Sequence, residues 1–372
     1  MPKSRLIISA CGDILLGDYY FDIGYGMGSQ IKRRDKGFVF KEVGATLSKS
    51  DLVLGNLECP ISRISNKHGI RKKEFLADPM SVEVLTEGGF DGLSLANNHM
   101  LQHGNVAFNN TTQLLARNGI APIGIIDQED DKQHLIKYSF EDTTLGVVSY
   151  SFAEDHFEKE NKSYAFAPSQ EILLRQIGEY KKKCDYLILM LHWGQEFVRF
   201  PSQFQIELAH SMVEAGVDII LGSHPHVVQG VETYKKSIIA YSLGNFVFSM
   251  NWTTSRYSTI LQIFIMEDGT MEFELIPIWI DDNFRPTIPN KHLKNRILEY
   301  FQRVNDTLYR SYALTLDEYE IMVQSALLQY QSSTRKSFVK NFYKQRPFVI
   351  FQLSFEFLNR NLANCFRKIK NG

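Results

Sequence analysis

Short apolar runs alternate with longer stretches of helical periodicity over most of the chain. The apolar runs, each bounded by Asp, Gly or Asn, occupy residues 6–10, 52–54, 92–96, 186–191 and 219–221. Runs of this length are typical of strands that are buried on both faces of a sheet. Between them, apolar side chains recur at helical spacing over residues 81–87, 106–118, 170–182 and 203–215. This alternation predicts an α/β fold.

A second group of segments is β-rich and not interrupted by helices. Residues 237–248, 257–265 and 271–280 predict strands, with a turn at residues 267–269 between the last two. Residues 135–140 and 145–152 predict a further hairpin. Antiparallel strands around a strand–helix core predict a two-sheet β-sandwich flanked by helices. Helical spacing returns from about residue 291, so we predict a main domain over residues 1–285 and a helical C-terminal extension over 286–372.

Composition narrows the class of protein. The 372 residues are 44% hydrophobic with a formal net charge of −1, which argues against a nucleic-acid partner for the chain as a whole. The four cysteines show no Cys-x-x-Cys spacing, which favours a reducing compartment. The first apolar run is too short for a signal-peptide core or a membrane span. The sequence therefore predicts a cytoplasmic protein.

The C-terminal segment differs from the rest in charge. Residues 335–370 carry nine Lys and Arg against one acid, with Phe and Leu interspersed. One interpretation is a peripheral amphipathic segment on anionic lipid, which would make the protein membrane-associated. The interpretation we favour is a helix docked on the acidic body, and contact with a partner protein is a third.

The predicted core strands end in residues that can bind a metal. The strand ends supply, in chain order, Asp13, Glu58, Asn98 followed by His99, His192, and the pair His224 and His226. Ligands of open α/β sheets bind beyond the carboxyl ends of strands, so these side chains are expected to converge. Each residue alone has an ordinary structural explanation, such as a helix cap or a buried histidine. Their joint occurrence at successive strand ends is what favours a site.

Carboxylate, amide and imidazole ligands together suit Mn, Zn or Fe better than Ca or Mg. Six candidate ligands exceed the need of one four-coordinate zinc and fit two divalent metal ions that share a bridging carboxylate. Such a pair can generate hydroxide at neutral pH and clamp an in-line displacement, which is hydrolytic chemistry. The sequence contains no P-loop, no Gly-x-Gly-x-x-Gly after a strand and no Gly-x-Ser-x-Gly, which disfavours those nucleotide-binding and serine hydrolase classes.

Several motifs, in order, resemble the CapA-type family of bacterial capsule and poly-γ-glutamate synthesis proteins. The resemblance covers roughly residues 5–250 and rests on the stretches at 11–18, 56–60, 75–79, 89–91, 94–99, 192–196, 222–229 and 241–248. It implies a metallophosphoesterase-like fold with a dinuclear site. By this resemblance Asp13 binds the first metal and Glu58 bridges. Asn98 and His192 bind the second metal, His224 and His226 are shared, and His99 is the general acid.

Two features depart from that family pattern. Family members usually carry an acidic residue shortly after the Asn-Asn-His triplet, where this chain has Gln102. An acid that orients His99 would raise its proton affinity, so Gln102 is expected to weaken catalysis. Family members at the cell surface generally carry an N-terminal membrane anchor, whereas this sequence opens with a short apolar run only.

For the substrate, the sequence indicates an anion. Arg71, with Lys72 and Lys73 after it, is a candidate contact for phosphate or carboxylate, and Asn56 and Trp193 are also expected to contact substrate. We therefore predict a metal-dependent, phosphoesterase-like hydrolase acting in capsule, exopolysaccharide or poly-γ-glutamate synthesis on a small-molecule or polymer substrate. The alternative is a non-catalytic subunit that keeps the metal site as a scaffold in a synthesis complex.

Overall fold

The computed structural model describes residues 4–127, 132–153 and 163–341. Most of the basic C-terminal segment, for which we predict an amphipathic or docked helix, lies outside the described residues. Among the described residues, no helix combines the length and the apolar character that crossing a membrane requires.

The strands are numbered along the chain. They are β1 (Ser4–Ile14), β2 (Leu52–Leu57), β3 (Gly92–Ser94), β4 (Ala121–Ile123), β5 (Ile126–Asp127), β6 (Lys132–Gln133), β7 (Ile136–Phe140), β8 (Thr143–Ser151), β9 (Tyr186–His192), β10 (Ile219–Ser223), β11 (Val231–Tyr234), β12 (Ser237–Ala240), β13 (Asn245–Val247), β14 (Tyr257–Met266), β15 (Met271–Ile280) and β16 (Pro286–Thr287).

The α-helices are numbered in the same way. They are α1 (Met27–Ile31), α2 (Gly44–Leu47), α3 (Ser81–Glu87), α4 (Asn105–Arg117), α5 (Gln170–Lys181), α6 (Gln203–Glu214), α7 (Lys291–Asp306) and α8 (Leu316–Asn341). Short 3-10 helices cover Lys36–Phe38, Gly69–Lys73, Thr253–Arg256 and Leu308–Ala313.

Over the described residues, the strands form two main sheets. Sheet one has eight strands in the order β16-β15-β14-β1-β2-β3-β4, and β13 also pairs with β1. Sheet two has six strands in the order β11-β12-β10-β9-β8-β7. In sheet two, parallel pairs such as β9 with β10 occupy the centre, and antiparallel hairpins lie at both sides. In sheet one, the parallel strands β1 to β4 form one half, and the antiparallel strands β14 to β16 form the other. This is the predicted mixture of a strand–helix core and flanking hairpins.

The two sheets pack face to face. Ile8 and Leu54 of sheet one share a buried cluster with Ile188 and Leu221 of sheet two. A second cluster lies between sheet one and helices α3 and α4, and a third lies between sheet two and helices α5 and α6. Each sheet therefore buries both faces, which explains why its central strands are continuous apolar runs. The predicted α/β class, with a two-sheet sandwich flanked by helices, is confirmed.

One predicted strand is wrong in extent. Residues 237–248 form two strands in different sheets, because β12 pairs with β10 while β13 pairs with β1. The chain crosses between the sheets at Gly244, which has a φ of 66° and lies too close to Val228 to leave room for a side chain.

The helical extension begins as predicted. Helix α7 buries Ile297, Tyr300 and Phe301 in a cluster with Val228 and Tyr257 of the sandwich. The hydroxyl of Tyr300 donates a hydrogen bond to the carbonyl of Val228 at 2.8 Å. This helix thus shares a core with the main domain, and the proposed boundary at residue 285 stays a prediction.

Candidate metal centre

The carboxyl ends of β1 and β2 in sheet one meet those of β9 and β10 in sheet two. Asp13 is in register with Asn56 on β2, and His192 on β9 is in register with Ser223 on β10. Across the two sheets, Oε1 of Glu58 lies 3.4 Å from Nδ1 of His192. The predicted convergence of strand ends on one volume is therefore present in the structure.

One group of three candidate ligands is fully buried. Asp13, Glu58 and His192 each offer one ligand atom within 4.8 Å of the other two. The side-chain amide of Asn56 holds them together, because its nitrogen lies 2.9 Å from Asp13 Oδ1 and 3.2 Å from Glu58 Oε1. The same nitrogen is 3.3 Å from Nδ1 of His192. Asn56, predicted as a substrate contact, is buried here as an orienting residue of this group.

A second group of three lies on the loops after β9 and β10. Glu196, His224 and His226 likewise offer ligand atoms within 4.8 Å of one another. The rings of His192 and His224 connect the two groups, with centroids 4.5 Å apart. Glu196 was not among the residues predicted from the sequence. The only sequence signal for it is its position four residues after His192, in the same motif.

The loops that carry the second group are strained. His224, His226 and Phe197 all have positive φ angles, of 97°, 56° and 67°. Such angles are costly for residues other than glycine and concentrate at functional sites. The amide of Phe197 donates to the carbonyl of Pro225 at 2.8 Å, which ties the Glu196 loop to the His224–His226 turn.

The electrostatics of the first group fit a bound cation. Burial, reinforced by the neighbouring carboxylate of Asp13, raises the pKa of Glu58 well above its usual range. Oε2 of Glu58 is buried and has no hydrogen-bond partner among the described residues. Two adjacent buried carboxylates and an orphaned oxygen are unfavourable without a compensating positive charge. A divalent cation would supply that charge, so the residues present fit a metal.

The histidines complete this picture. Burial, with His226 and His99 nearby, lowers the pKa of His224 to about 3, and burial also lowers the pKa of His192 well below its usual value. Both imidazoles are therefore neutral, which is the form that binds metals. Burial alone would lower the pKa of His226, but Glu58 and Asp13 outweigh it and raise the value to about 10. The protonated ring of His226 thus supplies part of the positive charge that the buried carboxylates require.

His99 stands beside these groups. Its ring stacks on Phe75, with centroids 4.1 Å apart, and its Nδ1 lies 3.0 Å from Oε1 of Gln102. The neighbouring Asn98 places its Oδ1 3.0 Å from Nε2 of His192. In this geometry the side-chain oxygen of Asn98 accepts a hydrogen bond from Nε2 of His192, and Nδ1 of that ring lies towards Glu58.

Two predicted substrate contacts lie elsewhere. Trp193 is in the core of sheet two, where its indole nitrogen donates to the carbonyl of Tyr241 at 2.9 Å. Its substrate role does not fit this position, because consecutive strand residues point to opposite faces and only His192 faces the site. Arg71 is exposed on the 3-10 helix Gly69–Lys73, and its contact with substrate stays a prediction.

Comparison with known proteins places the chain in a family. Residues 7–250 match the family of the bacterial capsule synthesis protein PGA_cap. The chain is 30% identical to the capsule biosynthesis protein CapA of Bacillus anthracis over 82% of its own length and 74% of the relative's. It is 32% identical to the PGA biosynthesis protein CapA of Bacillus subtilis over 79% of its length and 76% of the relative's.

Among solved structures, the NAD nucleotidase NadN of Haemophilus influenzae matches with a TM-score of 0.40 and 12% identity. The match covers 89% of this chain and 67% of the nucleotidase. The family match spans the strand ends that carry both groups of candidate ligands. The chain belongs to the bacterial capsule synthesis protein family PGA_cap.

Proposed function

We propose that this protein is a metal-dependent hydrolase that acts on an anionic substrate in the synthesis of a capsular or poly-γ-glutamate polymer. The observation that carries the proposal is the pair of ligand groups, in which six side chains from the ends of four strands lie in two sets of three. Membership of the capsule synthesis family supports the biological setting.

The two groups would each hold one divalent ion. Asp13, Glu58 and His192 would bind one, and Glu196, His224 and His226 the other. The mixture of carboxylate and imidazole ligands suits Mn, Zn or Fe. When bound, such ions polarise an ester or amide oxygen and lower the pKa of a coordinated water to near neutrality.

His99 would supply the proton for the leaving group. Its Nδ1 is held by Gln102 and its ring is fixed against Phe75, so Nε2 is the atom at which a proton would be exchanged. A proton given from this atom to the leaving oxygen or nitrogen is general acid catalysis. Gln102 fixes the ring orientation without adding charge, whereas a carboxylate there would also stabilise the imidazolium.

The proposal is tested by metal content and turnover of the intact chain. Wild-type protein loaded with Mn²⁺ or Zn²⁺ should hold about two equivalents by elemental analysis, in keeping with two-metal sites. It should also hydrolyse at least one member of a panel of aryl phosphodiesters, phosphomonoesters and γ-glutamyl anilides. The variant His224→Ala/His226→Ala should lose the equivalent assigned to Glu196, His224 and His226, and activity with it.

A matched control removes two histidines outside the site. His68 and His292 are exposed, so His68→Ala/His292→Ala should retain wild-type metal content and turnover. Wild-type protein that stays metal-free after loading would refute the proposal.

The second candidate is a scaffold subunit that binds metal without catalysis, and the uncharged Gln102 beside His99 favours it. Two bound equivalents with no turnover on any member of the panel would support the scaffold over the hydrolase.

A further inference from the structure

A cavity of about 500 Å³ lies beside α1 and the 3-10 helix Gly69–Lys73. Five basic side chains line it, namely Lys32, Arg33, Arg63, Lys72 and Lys73. The volume falls within the range of small-molecule sites, which is about 300–1,000 Å³. None of these residues belongs to the two groups of candidate metal ligands.

The two acids in the cavity wall are already engaged. Asp18 accepts hydrogen bonds from the backbone of Gly24 at 2.8 Å and of Ser29 at 2.7 Å, and from the hydroxyl of Ser29 at 2.5 Å. Asp78 forms an ion pair with Lys32 at 3.3 Å and accepts a hydrogen bond from the backbone of Met80 at 3.2 Å. These carboxylates therefore brace the wall and neutralise only part of its positive charge.

Of the remaining cations, Lys72, Lys73 and Arg33 are not paired with an acid of the wall, whereas Arg63 lies near Asp78. Lys72 and Lys73 form no ion pair with any residue that the structure describes, and the guanidinium of Arg33 donates to the carbonyl of Gly24 rather than to an acid. Like charges gathered around one cavity repel each other unless an anion enters between them. The wall also contains Ile23 and Leu76, which offer apolar surface beside the charges.

The cavity is separated from the metal centre by one stretch of chain. Phe75 turns its ring away to stack on His99, whereas Leu76 and Ala77, which follow it directly, line the cavity. The backbone of Phe75 is anchored by a hydrogen bond from its amide to the carbonyl of Asp18 at 2.9 Å. The same short segment therefore borders both sites.

We propose that this cavity is an anion-binding site, distinct from the metal centre, which takes carboxylate or phosphate groups of an extended anionic ligand. Arginine suits the planar, bidentate recognition of such groups, and lysine provides point charges for them. Apolar wall residues next to the cations fit a ligand that carries its charges on a hydrocarbon or sugar backbone. A ligand with several anionic groups in a row gains most, because more than one cation can be engaged at once.

The test uses the intact chain, stripped of metal with EDTA and dialysed, so that the metal centre cannot contribute. Calorimetric titration at low salt uses two probes, an oligomer of six glutamates for carboxylate and inorganic tripolyphosphate for phosphate. We expect wild-type protein to bind at least one probe, and the tighter probe identifies the group that the cavity prefers. The variant Arg63→Ala/Lys72→Ala/Lys73→Ala should bind that probe at least about tenfold more weakly, as expected for the loss of several charge-assisted contacts.

A matched control changes the net charge by the same amount elsewhere. Lys182, Lys183 and Lys236 are exposed, so Lys182→Ala/Lys183→Ala/Lys236→Ala should bind like wild type. Equal weakening in both triple variants would mean general charge attraction and would overturn the proposal. Failure of wild-type protein to bind either probe would overturn it as well. Because no metal is present, neither result bears on the proposed hydrolase.

Discussion

The side-chain oxygen of Asn245 lies 2.9 Å from Nδ1 of His226. Asn245 is itself anchored, since its amide nitrogen donates to the carbonyls of His226 at 3.3 Å and Ser255 at 3.1 Å. Nδ1 of His226 donates a hydrogen bond to this oxygen, so the proton that a metal would displace from the protonated ring is the one on Nε2. Asn245, which lies on strand β13, thus fixes the tautomer and orientation of the candidate ligand His226.

We expect Asn245→Ala to lower metal affinity by about 10–100-fold, because outer partners of ligating histidines contribute that much. Affinity is measured by competition with a chelating dye. Melting curves recorded in EDTA separate this effect from a general loss of fold. Unchanged affinity in a folded variant would mean that His226 does not depend on Asn245 for its orientation.

Glu196 should be a ligand of the second group only. We expect Glu196→Gln to weaken the binding of one metal equivalent by on the order of 100-fold and to leave the other nearly unchanged, because Asp13, Glu58 and His192 remain. Two-site titration followed by elemental analysis measures both equivalents. The adjacent Gln195 is exposed, and Gln195→Ala serves as the control. Retention of both equivalents in Glu196→Gln would exclude Glu196 as a ligand.

The sequence predicted most of the site because of one property of sheets. Parallel strands of one sheet end at the same edge, so Asp13 and Glu58 had to lie close together, as did His192 and His224. Glu196 was not predicted because it lies two residues after Gly194. That glycine has a φ of 89° and starts a turn without regular periodicity. No pattern along an irregular loop indicates where a side chain points.

The prediction that Trp193 contacts substrate, by contrast, could have been avoided with a simple rule about strands. It follows His192 at the end of a strand, and consecutive residues of a strand face opposite sides. The histidine faces the site, so the tryptophan faces the cluster under α5 and α6.

By contrast, nothing in the apolar run at residues 237–248 could show that the chain changes sheets. That change depends on which strands are neighbours in the sandwich.

The close approach of β1 to the turn before β13 depends on Gly12. A Cβ at this position would lie 1.8 Å from the carbonyl oxygen of Gly244, which accepts the hydrogen bond from the amide of Asp13. We expect Gly12→Ala to reduce the free energy of unfolding in urea by about 3 kcal/mol or more, through displaced backbone. Gly44 has open space around its Cβ position, so Gly44→Ala should stay within about 1 kcal/mol of wild type. Equal stability of the two variants would contradict this account.

Helix α8 packs against the aromatic side chain of Phe197, which is next to Glu196 of the second ligand group. Tyr330 stacks on Phe197 with centroids 4.0 Å apart, and its hydroxyl is 2.9 Å from that of Tyr19. We expect Tyr330→Ala to cost about 3 kcal/mol of unfolding free energy and Tyr330→Phe about 1 kcal/mol, since the latter loses only the hydrogen bond. Denaturant unfolding measures both. Ile321 on the same helix is 68% exposed, and Ile321→Ala should cost less than about 0.5 kcal/mol.

The contact between His99 and Gln102 gives the most direct test of catalytic competence. Gln102 accepts from Nδ1 of His99 at 3.0 Å without carrying charge. A carboxylate in its place would stabilise the protonated imidazole, so in Gln102→Glu the imidazolium form should persist to higher pH. Titration of the ring protons of His99 by NMR measures this directly. If the protein is a hydrolase in which His99 donates a proton, the alkaline limb of its pH–rate profile should move to higher pH as well.

Gln102→Ala is the control, because it removes the hydrogen bond without adding charge and should not extend the imidazolium form. A Gln102→Glu protein with the same titration as wild type would show that residue 102 does not govern the proton on His99.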